Sequence, residues 1–174
     1  MTRKAKRRWL IGLAVVLGGA VLFWFLSAPA PEDSEKIPDV APALSMPGLD
    51  GKAVALADFR GKVVLLDFWA TWCEPCVEEL PDLVALQKKY KARGFTVVGV
   101  AADLQGAKVV APFARAHGIN YPVLISGGDV PESYPVPGFP TAFLIGKDGK
   151  IAARYLGGQT ADDFGRDIEA ALAR

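Results

Sequence analysis

Two cysteines, two methionines and one histidine are all the soft metal ligands this chain of 174 residues has. A framework of several disulfides is therefore excluded, and with a single His the cysteines cannot complete a tetrahedral Cys/His zinc site. A basic face is lacking too. Residues 1–8 carry five of the twenty Lys and Arg, leaving fifteen against nineteen Asp and Glu, a net charge of −4, for the remainder. Phosphate binding wants a basic surface on the folded part, so no nucleic-acid partner is expected. There is no internal repeat. At 51% hydrophobic and 22% charged the chain is too apolar to be disordered, and its length suits one domain plus an appendage.

The appendage is the N-terminus. Arg3 to Arg8 includes five basic residues, and Trp9 to Leu26 is a run of eighteen uncharged ones. A helix of that length reaches roughly 27 Å, close to the hydrocarbon thickness, whereas the apolar part of a cleavable signal runs about 7 to 15 residues. The length predicts a transmembrane signal-anchor over 9–26 behind a cytoplasmic basic segment, 1–8. The competing reading is cleavage at Ala28-Pro29-Ala30, which would leave Pro31 directly after the cut. No Cys follows the run, which excludes a lipoprotein. Basic residues stay cytoplasmic, so the rest of the chain is expected on the outer side, with its cysteines facing an oxidising compartment. Residues 27–42 hold four of the thirteen prolines and read as a semi-stiff linker, leaving 43–174 as the domain.

Within the domain, Val63 to Ala70 reads as a strand buried on both faces, leading straight into Cys73-Glu74-Pro75-Cys76. Val77, Leu80, Leu83, Val84, Gln87 and Tyr90 then follow helical spacing, to an end near Arg93-Gly94. A strand over Phe95 to Ala101, a helix over Gly106 to His117 and an extended piece at Tyr121 to Ile125 come next. Strands over Thr141 to Gly146 and Ile151 to Leu156 flank a tight turn at Asp148-Gly149, and Thr160 caps a last helix over Ala161 to Ala173. This order predicts an α/β fold with a mixed sheet.

Cysteines two residues apart at a helix start are placed for disulfide chemistry. The spacing lets the sulfurs bridge, and the helix N-terminus stabilises a thiolate. Cys73, at the end of the loop, is expected to be exposed and to act as nucleophile, with Cys76 a turn inside as the resolving thiol. Asp67 is an oddity, because a carboxylate inside a buried strand is costly unless protonated or paired. Glu74 puts a negative charge beside the thiolate, which raises the Cys73 pKa and suits a reductant. Trp69 and Phe68 are assigned to the core, Trp72 to the rim of the site, and His117 to a helix-end surface.

Residues 61–81, GKVVLLDFWATWCEPCVEELP, closely resemble the thioredoxin superfamily, and within it the TlpA/ResA-like membrane-anchored thiol-disulfide oxidoreductases. The resemblance takes in Asp50-Gly51-Lys52, Leu56 and Gly138-Phe139-Pro140-Thr141, and spans about Ala43 to Arg174. It implies a thioredoxin-like fold, a central mixed β-sheet flanked by helices, and a Cys73–Cys76 disulfide. Pro140 matches the family's cis-proline beside the cysteines, leaving the backbone of Phe139 free to pair with an extended substrate near Trp72 and Pro75. Glu79 matches the family's acidic residue near the active site, and would carry protons to or from the sulfurs if partly buried. Asp67 matches the buried Asp of classical thioredoxins, a general base for Cys76. Thioredoxins place a Lys near that Asp, and Phe95 to Ala101 has none. Proton work shared between Asp67 and Glu79 stays open.

The function implied is a membrane-tethered reductase outside the cytoplasm of a bacterium, with no cofactor and no resident metal. Its substrates would be protein cysteine pairs, in apocytochrome c or in copper-site assembly proteins for a respiratory oxidase. Electrons would come from a membrane thiol-disulfide transporter. The alternatives are a disulfide-introducing oxidase or isomerase, which Glu74 and the lack of a long helical insertion disfavour, and a copper-binding chaperone. The last lacks any His or Met at a plausible distance from the thiolates. The loop from Tyr121 to Pro137, rich in Gly and Pro, is a candidate for partner recognition.

Overall fold

The computed structural model describes residues 37–174. The expected anchor over 9–26, the basic segment and most of the linker lie outside the described residues. Among those described, no helix is long and apolar enough to cross a membrane.

The order is β1 (Ser45–Pro47), β2 (Ala53–Ala55), β3 (Val63–Trp69), α1 (Glu74–Tyr90), β4 (Phe95–Ala101), α2 (Ala107–Ala116), β5 (Val123–Ile125), β6 (Thr141–Ile145), β7 (Ile151–Leu156) and α3 (Ala161–Leu172). Strands β3 to β7 form one mixed sheet in the order β5-β4-β3-β6-β7. Its centre is β3, parallel to β4 and antiparallel to β6. All seven residues of β3 are buried, and so are all seven of β4, as suits two runs that are apolar apart from Asp67 and Thr96.

Alternation along β3 divides the core. Val63, Leu65 and Trp69 face a cluster built with Leu83, Leu86 and Tyr90 of α1, Val110 of α2 and Phe164 and Ile168 of α3. Val64, Leu66 and Phe68 face the other, with Leu44, Val98, Phe143 and Tyr134. The expectation of helices flanking the sheet is met on the first face. The second is covered by Met46 and Val54 of the small β1–β2 hairpin, by Leu56 and Phe59 of a 3-10 turn, and by the loop bearing Tyr134. That hairpin is a feature the sequence reading lacks.

Local signals act where the spacing puts them. Gly94, at φ 87°, stops the turn that follows α1, and Thr160 caps α3 in a capping box with Asp163. The end of the expected linker and the loop from Tyr121 to Pro137 are tied to the rest of the domain. Ala41 N–H donates to Gly149 O at 2.9 Å, Ile151 N–H donates to Asp39 O at 3.0 Å, and the Tyr134 hydroxyl donates to Pro42 O at 2.6 Å. The ordered body thus begins ahead of Ala43.

Phe143 is fully buried, with its ring centroid 6.0 Å from that of Phe68 and 5.4 Å from that of Tyr134. Phe143→Ala is expected to cost about 3–5 kcal/mol of stability, measured by denaturant unfolding of the oxidised protein. A loss below about 1 kcal/mol would mean that this face is loosely packed.

Candidate active site

The site forms where β3 runs out into α1. Ala102 N–H donates to Trp69 O at 2.9 Å, and Cys73 N–H donates to Ala70 O at 3.2 Å. Asp103, only 1% exposed, accepts from Thr71 N–H at 3.1 Å and from the Thr71 hydroxyl. The turn that presents the cysteines is therefore tied to the end of β4, a contact no local pattern announces.

Cys73 is the N-cap of α1, and Pro75 lies in the helix's first turn, where its missing N–H costs nothing. Cys73 and Cys76 form a disulfide of 2.06 Å, and the Cys73 sulfur accepts from Cys76 N–H at 3.3 Å. The helix end that holds this sulfur is the one that would favour a thiolate there. Cys76 is 2% exposed and Cys73 6%. The order is as expected but the exposure of Cys73 is not: in the disulfide state its sulfur is folded back onto the helix terminus and belongs to the apolar cluster against which Phe139 packs.

Around the disulfide, Trp72 is 68% exposed and stands edge-on to Phe139, ring centroids 5.8 Å apart. The Phe139–Pro140 peptide is cis. Gly157 N–H donates to Pro140 O at 2.9 Å, and the Thr141 hydroxyl donates to Gly138 O at 2.7 Å, whereas the Phe139 backbone makes no hydrogen bond among the described residues. Glu74 and Pro75 are exposed, and Glu74 lies in the first turn of α1. Trp69 and Phe68 are fully buried, and His117 is exposed at the end of α2, stacked on Phe113.

Behind the disulfide are two acids. Glu79 is 4% exposed, unlike its exposed neighbour Glu78, and accepts from Gln159 N–H at 3.1 Å through one oxygen; the other has no partner. Burial lifts its pKa to about 7, against the pull of the Gln159 N–H and with a push from Asp82. Asp67 is 2% exposed, and its Oδ1 has no partner. Burial holds its carboxyl well above the usual range, and the Glu79 charge adds to this. A charge on one of the two therefore disfavours a charge on the other. Tyr121, which the sequence reading gave no role at the site, is 7% exposed with a partnerless hydroxyl, and burial beside both acids pushes its pKa well up. The available signal was Gly99, in register with Asp67 inside an aliphatic strand. Among the described residues no group of three His, Cys, Asp or Glu is placed to hold a metal ion.

The arrangement supplies a disulfide at a helix N-terminus, an apolar rim and two interior carboxyl groups. The Redoxin family description matches residues 32–172. The chain is 35% identical to the thiol-disulfide oxidoreductase ResA of Bacillus cereus, over 93% of this chain and 94% of that one. Among solved structures, a thioredoxin-family thiol:disulfide interchange protein from Chlorobium tepidum is 33% identical with a TM-score of 0.70, over 80% of this chain and 99% of that one. The thioredoxin domain of a thiol-disulfide oxidoreductase from Bacteroides vulgatus is 34% identical with a TM-score of 0.71, with the same coverage.

Glu79 holds its proton more tightly folded than unfolded, so its contribution to stability is fully present below its unfolded value of 4.5 and lost as pH rises through about 7. Glu79→Gln, which keeps an acceptor for Gln159, is expected to flatten this fall and to stabilise the oxidised protein at pH 8 by about 1–3 kcal/mol. Denaturant unfolding at pH 4 and 8 reads it, and equal effects at both pH values would contradict it.

Proposed function

The chain belongs to the Redoxin family and is a thiol-disulfide oxidoreductase, and from that premise we propose that it is a membrane-tethered reductase of selected protein disulfides, acting outside the cytoplasm. The observation that carries the reading is the Cys73–Cys76 pair at the N-terminus of α1, backed by buried acids and bordered by an exposed negative charge at Glu74.

In this mechanism the Cys73 thiolate attacks a substrate disulfide. A mixed disulfide forms, and the other substrate sulfur leaves as a thiolate that takes up a proton. Cys76 gives its proton to the acid pair and attacks the Cys73 sulfur, forming the Cys73–Cys76 disulfide and releasing the second substrate sulfur. Two electrons have passed to the substrate, and a membrane thiol-disulfide transporter would return the pair to the dithiol. Asp67 and Glu79 are the proton carriers in this scheme. Phe139 beside Pro140 offers its backbone to an extended substrate, and Trp72, Pro75 and Glu74 border it. Glu74 sits where its charge opposes the Cys73 thiolate, which favours the disulfide and hence electron donation. The proposed substrates are the haem-binding cysteines of apocytochrome c or the cysteines of copper-site assembly proteins. The proposed site of action is the outer face of a bacterial inner membrane, held there by a single span over 9–26.

The midpoint potential of the Cys73/Cys76 couple, measured on the full chain in defined thiol-disulfide buffers, is expected at about −270 to −220 mV; about −120 mV would make the protein an oxidant and overturn the reading. Cys76→Ala is expected to accumulate mixed disulfides, and mass spectrometry of the trapped partners assigns the substrate branch. Recovery of neither haem-site nor copper-site proteins would count against both.

A further inference from the structure

Inside the sheet, a missing side chain makes room for polar groups. Asp67 on β3 is registered with Gly99 on β4, and Gly99 with Val123 on β5. A Cβ at Gly99 would come within 2.8 Å of Trp69 Nε1 and 3.4 Å of Tyr121 Cε2, so the indole edge and the phenol ring lie over the glycine, beside Asp67. Trp69 follows Asp67 by two residues and shares its face of the sheet. Glu79 comes down onto the same face from α1, whose Cys76, Leu83 and Leu86 pack there.

Five buried side-chain polar atoms lack a partner among the described residues, and four are in this one place: Asp67 Oδ1, Glu79 Oε1, Trp69 Nε1 and the Tyr121 hydroxyl. Buried polar atoms are paired as a rule, directly or through a bridging water. These four are complementary. The indole is a donor only, the phenol donates and accepts, and each carboxylate oxygen accepts. The other titratable groups facing the acids are Asp82 on α1 and the cysteines themselves, and no Lys or Arg is buried among the described residues. With no buried cation beside them, a charge on either carboxyl raises the cost of a charge on the other.

We infer that Tyr121 is a positioning residue, its hydroxyl and the Trp69 N–H reaching Asp67 and Glu79 through bridging water and so holding them as one acid with a single shared charge, and that this unit takes the Cys76 proton. The second half rests on the proposed role of Cys76. The first does not.

The test uses the full chain. Carboxyl 13C NMR titration of the oxidised protein reads the acids without any thiol chemistry. Tyr121→Phe, which keeps the ring, is expected to raise the first carboxyl midpoint by about one pH unit, because a donor to the charged form has gone. In an Asp67→Asn background the same change is expected to move the Glu79 midpoint by less than half as much. The pH profile of resolution, the release of a small thiol preloaded on Cys73, is expected to shift upward by the same unit. If Tyr121→Phe leaves both the carboxyl midpoints and the resolution profile in place and lowers only the melting temperature, Tyr121 is a packing residue and the inference fails. If the midpoints move and the resolution profile does not, the shared acid stands and the transfer from Cys76 is overturned. A midpoint potential near that of an oxidant would sink the reductase reading while leaving the carboxyl titration untouched.

Discussion

Two carboxyl groups in the apolar space between a helix and the centre of a sheet are the constraint around which this domain is arranged. Either charge alone would cost several kcal/mol to bury, and both together would cost more because they repel. The fold meets that cost by letting the groups keep protons where surface acids have lost theirs. It meets it also by giving Glu79 one backbone donor from Gln159, and by leaving β4 without a side chain opposite Asp67. Apolar side chains here would carry no such burial cost, yet two carboxyl groups stand in their place.

The helix carrying the cysteines is held at both ends of its first turns. Behind it, Asp103 ties Thr71 to the end of β4, so the sulfur at the N-cap is fixed relative to the sheet. Above it, Glu79 and Asp82 accept from Gln159 N–H and Ala161 N–H in the loop that leads into α3. A sulfur pair exchanging partners needs a scaffold that does not follow it. Here the scaffold is one strand end, one helix and two loops joined by hydrogen bonds from outside the motif.

Much of this was legible in the sequence because the signals are local. An apolar run of seven residues ending in a Cys-x-x-Cys segment gives the central strand and the helix start, Gly94 and Thr160 mark helix boundaries, and Asp148-Gly149 marks the β6–β7 turn. A carboxylate at position 67 drew notice by violating the pattern. What escaped is long-range. The β1–β2 hairpin is three residues a side and has little alternation to read. Tyr134 looks like a loop residue until its ring meets Phe68 and its hydroxyl meets Pro42, 92 positions away. Tyr121 gains meaning only once register sets it over Gly99. The low exposure of Cys73 likewise emerges only from the tertiary cluster that it joins.

The bond between Glu79 and Gln159 joins groups 80 positions apart, one interior and one in an exposed loop ahead of the last helix. A carboxylate accepts more strongly than a neutral carboxyl, so the firmness of that loop varies with the proton on Glu79. A molecule resting on Gly157 to Thr160 would therefore touch the far end of a bond whose other end is a buried, titratable group.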